Sequence, residues 1–184
     1  MFKSVLSILL VTFCGKGVSK DLSDYIQYGA GYYSSIYIHE LGHATAAKYF
    51  GATNIRIEVP RKGTLFGGAT YHTFDTPAQG SQLREKVLNL SGLLAGNLAH
   101  EIVIQTNGLH SNSFAQGIAS TAHVTNLANV YNYYINRKAN DIAGYEQSGG
   151  NPHVLSTALV GYTLWSLKRM SDKNIPLFGI EYKF

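Results

Sequence analysis

The sequence predicts an α+β domain that is mainly helical, with a small β-hairpin after its first helix. Residues 32–50 form a run of apolar and small residues that ends at Gly51, a residue favoured just beyond a helix end. Residues 54–59 alternate in the manner of a strand. Residues 81–105 repeat large apolar side chains at helical spacing. A helix, a small sheet and then further helices is the order of an α+β domain.

The remaining elements follow from turn and cap signals. A turn at 60–63 leads into a second strand-like piece, 65–74, in which Gly67 and Gly68 indicate a bulge or a close backbone approach. A loop is expected at 106–118, a third helix at 120–136 and an irregular segment at 139–150. Asn151 and Pro152 start a last helix that runs to about Arg169. We expect its core to combine Trp165 with Leu155, Leu159, Tyr162 and Met170.

The first 19 residues have the pattern of a secretory signal. Lys3 precedes an 11-residue apolar run from Ser4 to Cys14, and the small residues Gly17 and Ser19 occupy the −3 and −1 positions of a cut after Ser19. We therefore expect residues 20–184 to form one exported domain, membrane-anchored if the segment is not cleaved. The alternating tail at 177–184 is expected to pack on the domain, with a peripheral membrane contact left open.

Composition excludes several classes of protein. The net charge of +4 is scattered, without the basic stripe that a nucleic-acid binder shows, so we expect no nucleic-acid partner. The single cysteine, Cys14, excludes an intrachain disulfide framework and a cysteine-rich metal site. The oligomeric state is not indicated.

Residues 39–43 read HELGH, an HExxH motif within the first predicted helix. His39 and His43 are four residues apart, so they share one helix face and can hold one Zn²⁺. Glu40 flanks the open coordination position. There it can take a proton from a metal-bound water and pass it to a leaving amine.

A catalytic zinc site usually has a third protein ligand. Position 49, six residues beyond His43, is a tyrosine, which excludes the HExxHxxGxxH layout. A Glu from the following helix is one source of a third ligand, and Glu101 fits that role; His123 is a further candidate. The sequence contains other histidines and carboxylates downstream, so this choice stays open from the residues alone.

The stretch HELGHATAAKYFGATNIRIEV resembles the opening of the site-2-protease family of zinc metalloproteases. The stretch LNLSGLLAGNLAHEIV resembles the next helix of that family, and also the corresponding helix of membrane-anchored AAA metalloproteases. The resemblance implies a zincin-like site with His39 and His43 as ligands, Glu40 as acid and base, and an Asp from a later segment. Asp141 is the best match, although Ile142 follows it where site-2 proteases have Gly.

The sequence therefore predicts an exported zinc-dependent metallopeptidase acting on a peptide or protein substrate. Its Zn²⁺ would be held by His39, His43 and Asp141. The alternative is a non-catalytic envelope protein whose zinc site is structural or captures metal. A four-ligand shell that includes Glu101 or His123 would favour this alternative.

Overall fold

The computed structural model describes residues 21–64, 67–75, 81–136 and 139–177. The helices are α1 (Leu22–Tyr49), α2 (Ser81–Gln105), α3 (Ser113–Tyr131), α4 (Asp141–Gln147) and α5 (Pro152–Asp172); the strands are β1 (Thr53–Glu58) and β2 (Ala69–Thr73). Helix dominates and the two strands form one antiparallel sheet, which confirms the α+β class. The expected signal segment and residues 178–184 of the tail lie outside the described residues.

Helix α1 begins ten residues earlier than the apolar pattern indicates. Asp21 caps it, since its carboxylate accepts the Asp24 backbone N–H at 2.9 Å, and the Asp24 carboxylate accepts the Asp21 N–H in return. The helix ends before Gly51, whose φ of +81° is the left-handed conformation that suits glycine. The earlier start was missed because residues 22–31 mix polar and apolar side chains on the helix surface.

The hairpin lies against α1 and is joined to the start of α2. Strands β1 and β2 pair from Thr53 opposite Thr73 to Glu58 opposite Ala69. Just after β2, the Phe74 ring lies 3.9 Å beneath the Arg84 guanidinium of α2. This contact fixes the end of β2 where the second helix begins.

The predicted bounds of the third helix, and the irregular structure predicted for 139–150, were wrong. Helix α3 starts at Ser113 rather than 120, because the Asn112 side chain accepts the Ala115 N–H at 2.9 Å and caps it. It ends at Tyr131 and continues as a π-helical turn, Asn132–Asn136. The segment predicted to be irregular, 139–150, contains the seven-residue helix α4, which is too short to show a periodic pattern.

Close helix contacts depend on small residues. A Cβ at Gly31 of α1 would collide with the Phe114 carbonyl of α3, so these helices touch backbone to backbone. Leu93, Ile142 and Leu159 form a buried cluster that joins α2, α4 and α5. Met170 is also buried, but Trp165 is 55% exposed, so the expectation that Trp165 belongs to the core was wrong.

Candidate metal centre

His39 and His43 lie one turn apart on α1, on the side that faces α2. Their Nε2 atoms are 3.1 Å apart and their rings meet edge to face. His39 is buried, with 8% of its surface exposed, and His43 is partly buried. The two imidazoles therefore point at one common spot.

Asp141 completes the group from a distant part of the chain. Its Oδ2 lies 3.2 Å from His39 Nε2 and its Oδ1 lies 3.4 Å from His43 Nε2. The three ligand atoms all lie within 4.8 Å of one another. Of the predicted third-ligand candidates, Asp141 is the one that the fold brings to the histidines.

The end of α3 and the cap of α4 hold Asp141 in place. Asn129 of α3 accepts the Asp141 backbone N–H on its side-chain oxygen at 3.2 Å, and its carbonyl accepts the Asn140 amide at 2.7 Å. Asn140 also caps α4 by accepting the Ala143 N–H. Ile142, the next residue, is fully buried against Leu93 and Leu159, and this packing helps to position the Asp141 carboxylate.

A backbone carbonyl sets the tautomer of His43. Its Nδ1 lies 2.6 Å from the Leu88 oxygen, which can only accept, so Nδ1 carries the proton. The lone pair is then on Nε2, which faces the group, and this is the arrangement of a metal-binding histidine. The Nδ1 of His39 is buried without a hydrogen-bond partner among the described residues, beside a crevice lined by polar groups of Ser35, Asn97 and Asn126.

The electrostatics of the group favour an ionised carboxylate. Burial alone would raise the pKa of Asp141, but hydrogen bonds from His39 and His43 and their charge outweigh burial and hold that pKa well below its usual range. Burial would lower the pKa of His43, but Asp141 and the Leu88 carbonyl raise it above its usual value. A cation is therefore stabilised beside Asp141, whether it is a proton on an imidazole or a metal ion.

The donor set fits a small divalent cation. Ligands about 2.0–2.1 Å from a tetrahedral zinc ion lie about 3.3 Å from one another. The two Nε2 atoms are 3.1 Å apart, and the nearest Asp141 oxygen lies 3.2 Å from His39 Nε2 (Oδ2) and 3.4 Å from His43 Nε2 (Oδ1). Two imidazoles and one carboxylate are also ligand types that zinc accepts.

Glu40 lies next to the group and is held by the hairpin. The Thr70 hydroxyl of β2 lies 2.8 Å from Glu40 Oε2 and also 2.8 Å from the Glu40 backbone carbonyl. A Cβ at Gly68 would lie 2.8 Å from Glu40 Oε1, so glycine leaves room for the carboxylate. Glu40 is thus buried, with 7% of its surface exposed, and its carboxylate is hydrogen-bonded to β2 through Thr70.

Gly92 of α2 makes room for the His43 ring, and this gives a direct test. A Cβ at Gly92 would collide with His43 Nε2, the atom that faces the group. We expect Gly92→Ala to displace the ring and weaken zinc binding at least tenfold, measured by competition with a zinc-sensitive dye. Gly161→Ala, where a Cβ would meet open space, is the matched control. Equal affinity for both variants would contradict this placement of the ring.

Glu101, the second candidate ligand, lies elsewhere. Its carboxylate accepts two hydrogen bonds from Arg169 Nη1, at 2.7 and 3.0 Å, and one from the Tyr162 hydroxyl at 2.8 Å. Burial would raise its pKa, but these partners lower it. Glu101 therefore joins α2 to α5 as an ion pair.

His123, the third candidate, belongs to a separate buried pair. Its ring packs edge to face on His100 at 4.5 Å, and its Nε2 lies 3.3 Å from the Met170 sulfur. Burial lowers the pKa of His123 to about 3, and burial likewise lowers the pKa of His100 to about 4. Both imidazoles are therefore neutral in the folded protein.

This pair predicts a loss of stability in mild acid. Below pH 6.5, His100 and His123 bind protons in the unfolded chain but stay neutral in the folded chain. The free energy of unfolding then falls by up to about 1.4 kcal/mol per histidine for each pH unit. Asp141, whose pKa is lowered, is ionised in both the folded and the unfolded chain between about pH 4 and 6.5, and His43, whose pKa is raised, is protonated in both. The contributions of these two residues to the free energy of unfolding are therefore constant in this range. Urea unfolding of metal-free protein from pH 7 to 4.5 checks this; a flat stability would contradict it.

Sequence reasoning missed the residues that hold the group. Thr70, Asn129 and the Leu88 carbonyl carry no motif, and only the cap position of Asn140 beside Asp141 could have indicated a fixed carboxylate. Comparison with protein-family models, with curated proteins and with solved structures finds no match to this chain. Support for a function therefore comes from the geometry of this site.

Proposed function

We propose that this chain is an exported zinc-dependent metallopeptidase that hydrolyses peptide bonds in peptides or proteins. The observation that carries the proposal is the convergence of His39, His43 and Asp141, with ligand atoms within 4.8 Å of one another. Glu40 lies next in sequence to His39 and supplies the group that a hydrolase of this type needs.

His39, His43 and Asp141 would hold the metal through two imidazole nitrogens and one carboxylate. A bound Zn²⁺ would supply Lewis acidity that polarises the peptide carbonyl and favours deprotonation of water. The Leu88 carbonyl keeps the His43 Nε2 lone pair available, and Asn129 keeps Asp141 oriented. These contacts would hold the ligand side chains in position without a bound metal.

Glu40 acts as the general base and then as the general acid. Its carboxylate takes a proton from the attacking water and delivers it to the nitrogen of the leaving amine. The Thr70 hydroxyl at 2.8 Å holds Oε2, while Oε1 lies beside Gly68. The carboxylate is therefore oriented through Oε2, and in this proposal Oε1 transfers the proton.

The number of ligands favours catalysis over the non-catalytic alternative. Structural zinc sites usually have four protein ligands, whereas catalytic sites keep a position for solvent or substrate. Within the part of the chain that the structure describes, this group has three donors, and Glu101 and His123 are engaged elsewhere. Three donors would leave a fourth position on a bound Zn²⁺ for solvent or substrate.

The hairpin offers a way to bind an extended peptide. The described sheet has two strands, so β2 pairs with β1 along one edge only. A peptide that adds to the other edge of β2 would gain main-chain hydrogen bonds. Since Thr70 of β2 contacts Glu40, a peptide on this strand would be held near the general base.

The test is cleavage of a mixed peptide library by the full chain, followed by mass spectrometry. Protein treated with a chelator should lose cleavage, and one equivalent of Zn²⁺ should restore it. Absence of cleavage by zinc-loaded protein that binds the metal tightly would favour the non-catalytic alternative. Cleavage that survives chelation would contradict a metallopeptidase.

A further inference from the structure

Helix α2 has an aliphatic stripe on the side opposite the candidate metal centre. Five large aliphatic side chains on it are 38–69% exposed: Leu83, Val87, Leu94, Leu98 and Ile102. Their spacings of four and seven residues place them on one face of the helix. The inner face contains Gly92 and Gly96, which lie against the two histidines of α1. One helix thus separates the site from an apolar outer surface.

The middle of the stripe, from Val87 to Leu98, lacks the charges that a water-facing helix normally carries. No Asp, Glu, Lys or Arg occurs between Val87 and His100. By length and composition, Gln82–Gln105 could even cross a bilayer, but α1, α3 and α4 pack on its inner side. A row of exposed large apolar side chains on one helix face is typical of an interaction site. A helix with one apolar outer face and a packed inner face suits the plane of a membrane interface.

We propose that the stripe docks α2, parallel to the membrane, into the acyl region of a phospholipid bilayer. The stripe consists of Leu, Val and Ile alone, whereas the centres of protein interfaces are enriched in Tyr, Trp and Arg. Leu, Ile, Val and Phe are the side chains that the acyl region of a bilayer favours, and aromatic rings are enriched at its interfaces with water. The composition of the stripe therefore favours lipid over a second protein chain.

The border of the stripe has such aromatic and basic residues. Arg169 of α5 pairs with Glu101, the residue just before Ile102, and its guanidinium lies 4.2 Å above the Trp165 ring. Trp165 is 55% exposed, which places an indole and a guanidinium beside the last turns of α2. Indole rings favour the headgroup level of a bilayer. A position at the headgroup level would explain why Trp165 is exposed, although its sequence pattern predicts a core residue.

The first test measures binding of the full chain to sedimenting vesicles, made of phosphatidylcholine alone or with an anionic phospholipid, at 0.1 and 0.5 M NaCl. The stripe is uncharged, so we expect binding that is insensitive to salt. Leu94→Gln combined with Leu98→Gln should reduce the partition coefficient at least about tenfold. Val154→Gln of α5 is the control, because Val154 is 65% exposed, close to the 66% and 64% of Leu94 and Leu98. All variants keep residues 1–20, whose apolar run could itself bind lipid. A loss of vesicle binding that occurs only in the double variant must therefore come from the stripe.

Three outcomes would overturn the proposal. They are equal binding by the double variant, no binding by wild type, and binding only to anionic vesicles that 0.5 M NaCl abolishes. A wild-type dimer in lipid-free sedimentation that the double variant loses would instead assign the stripe to a second copy of the chain.

A measurement on the wild-type chain avoids any loss of folding in the variants. Trp165 is the only tryptophan, so its fluorescence reports on one position at the border of the stripe. We expect phosphatidylcholine brominated near the headgroup end of its acyl chains to quench this fluorescence. Unchanged fluorescence on bound vesicles would place the stripe away from lipid and overturn the proposal.

Discussion

Glu40→Gln is expected to reduce peptide hydrolysis by a factor of about 10²–10⁴ while zinc stays bound. Glutamine keeps the size of the side chain and can still accept a hydrogen bond from the Thr70 hydroxyl, which lies 2.8 Å from Glu40 Oε2. It cannot take a proton from water at neutral pH. The loss should therefore appear in kcat, measured with a fluorogenic peptide selected from the library.

The control for this variant is Glu58→Gln on β1, a carboxylate that accepts the Lys62 backbone N–H. It should keep nearly full activity. Metal content of both variants should equal that of the wild type, measured by elemental analysis. Wild-type rates in the Glu40→Gln protein would remove Glu40 from the mechanism and leave the hydrolytic role of the site without its base.

Asp141→Asn is expected to lower zinc affinity more than a hundredfold. Loss of a residue that only hydrogen-bonds to a metal ligand lowers affinity by about 10–100-fold, and loss of a ligand should cost more. The amide has nearly the same shape but lacks the negative charge that the buried imidazoles face at 3.2 and 3.4 Å. Hydrolysis should fall with metal occupancy. Competition with a chelator of known affinity measures the effect.

Asp172→Asn is the matched control, since Asp172 is an exposed carboxylate paired with Lys168 at 2.6 Å. It should bind zinc as the wild type does. An Asp141→Asn protein that folds, shown by circular dichroism, and still binds zinc at wild-type affinity would exclude Asp141 as a ligand. His123 and Glu101 would then need to be tested in turn.

The local part of the site was predictable, because two histidines four residues apart on a helix must share a face. Strand β1 and helix α2 were also predictable, because the apolar side chains of each repeat with a clear period. The position of Asp141 was not, because it depends on the Leu93, Ile142 and Leu159 cluster and on Asn129, which lies 12 residues earlier. Such contacts leave no periodic signal.

The buried face of α2 also differs from the face that its sequence pattern predicts. Helical spacing of Leu94 and Leu98 in an ordinary soluble helix predicts a core face, yet these side chains point outward and Gly92 and Gly96 point inward. Glycines are needed there because the His39 and His43 rings occupy the space beside α2. Periodicity identifies a helix, but it does not show which face is buried when the inner face must hold a site.

The central claim is that His39, His43 and Asp141 bind one divalent ion together. X-ray absorption at the zinc edge, on the full chain loaded with one equivalent of zinc, tests it most directly. We predict two imidazole nitrogens and a carboxylate oxygen at about 2.0–2.2 Å, with one imidazole signal lost in His43→Ala. A zinc spectrum that lacks imidazole, or one that His43→Ala leaves unchanged, would contradict the claim.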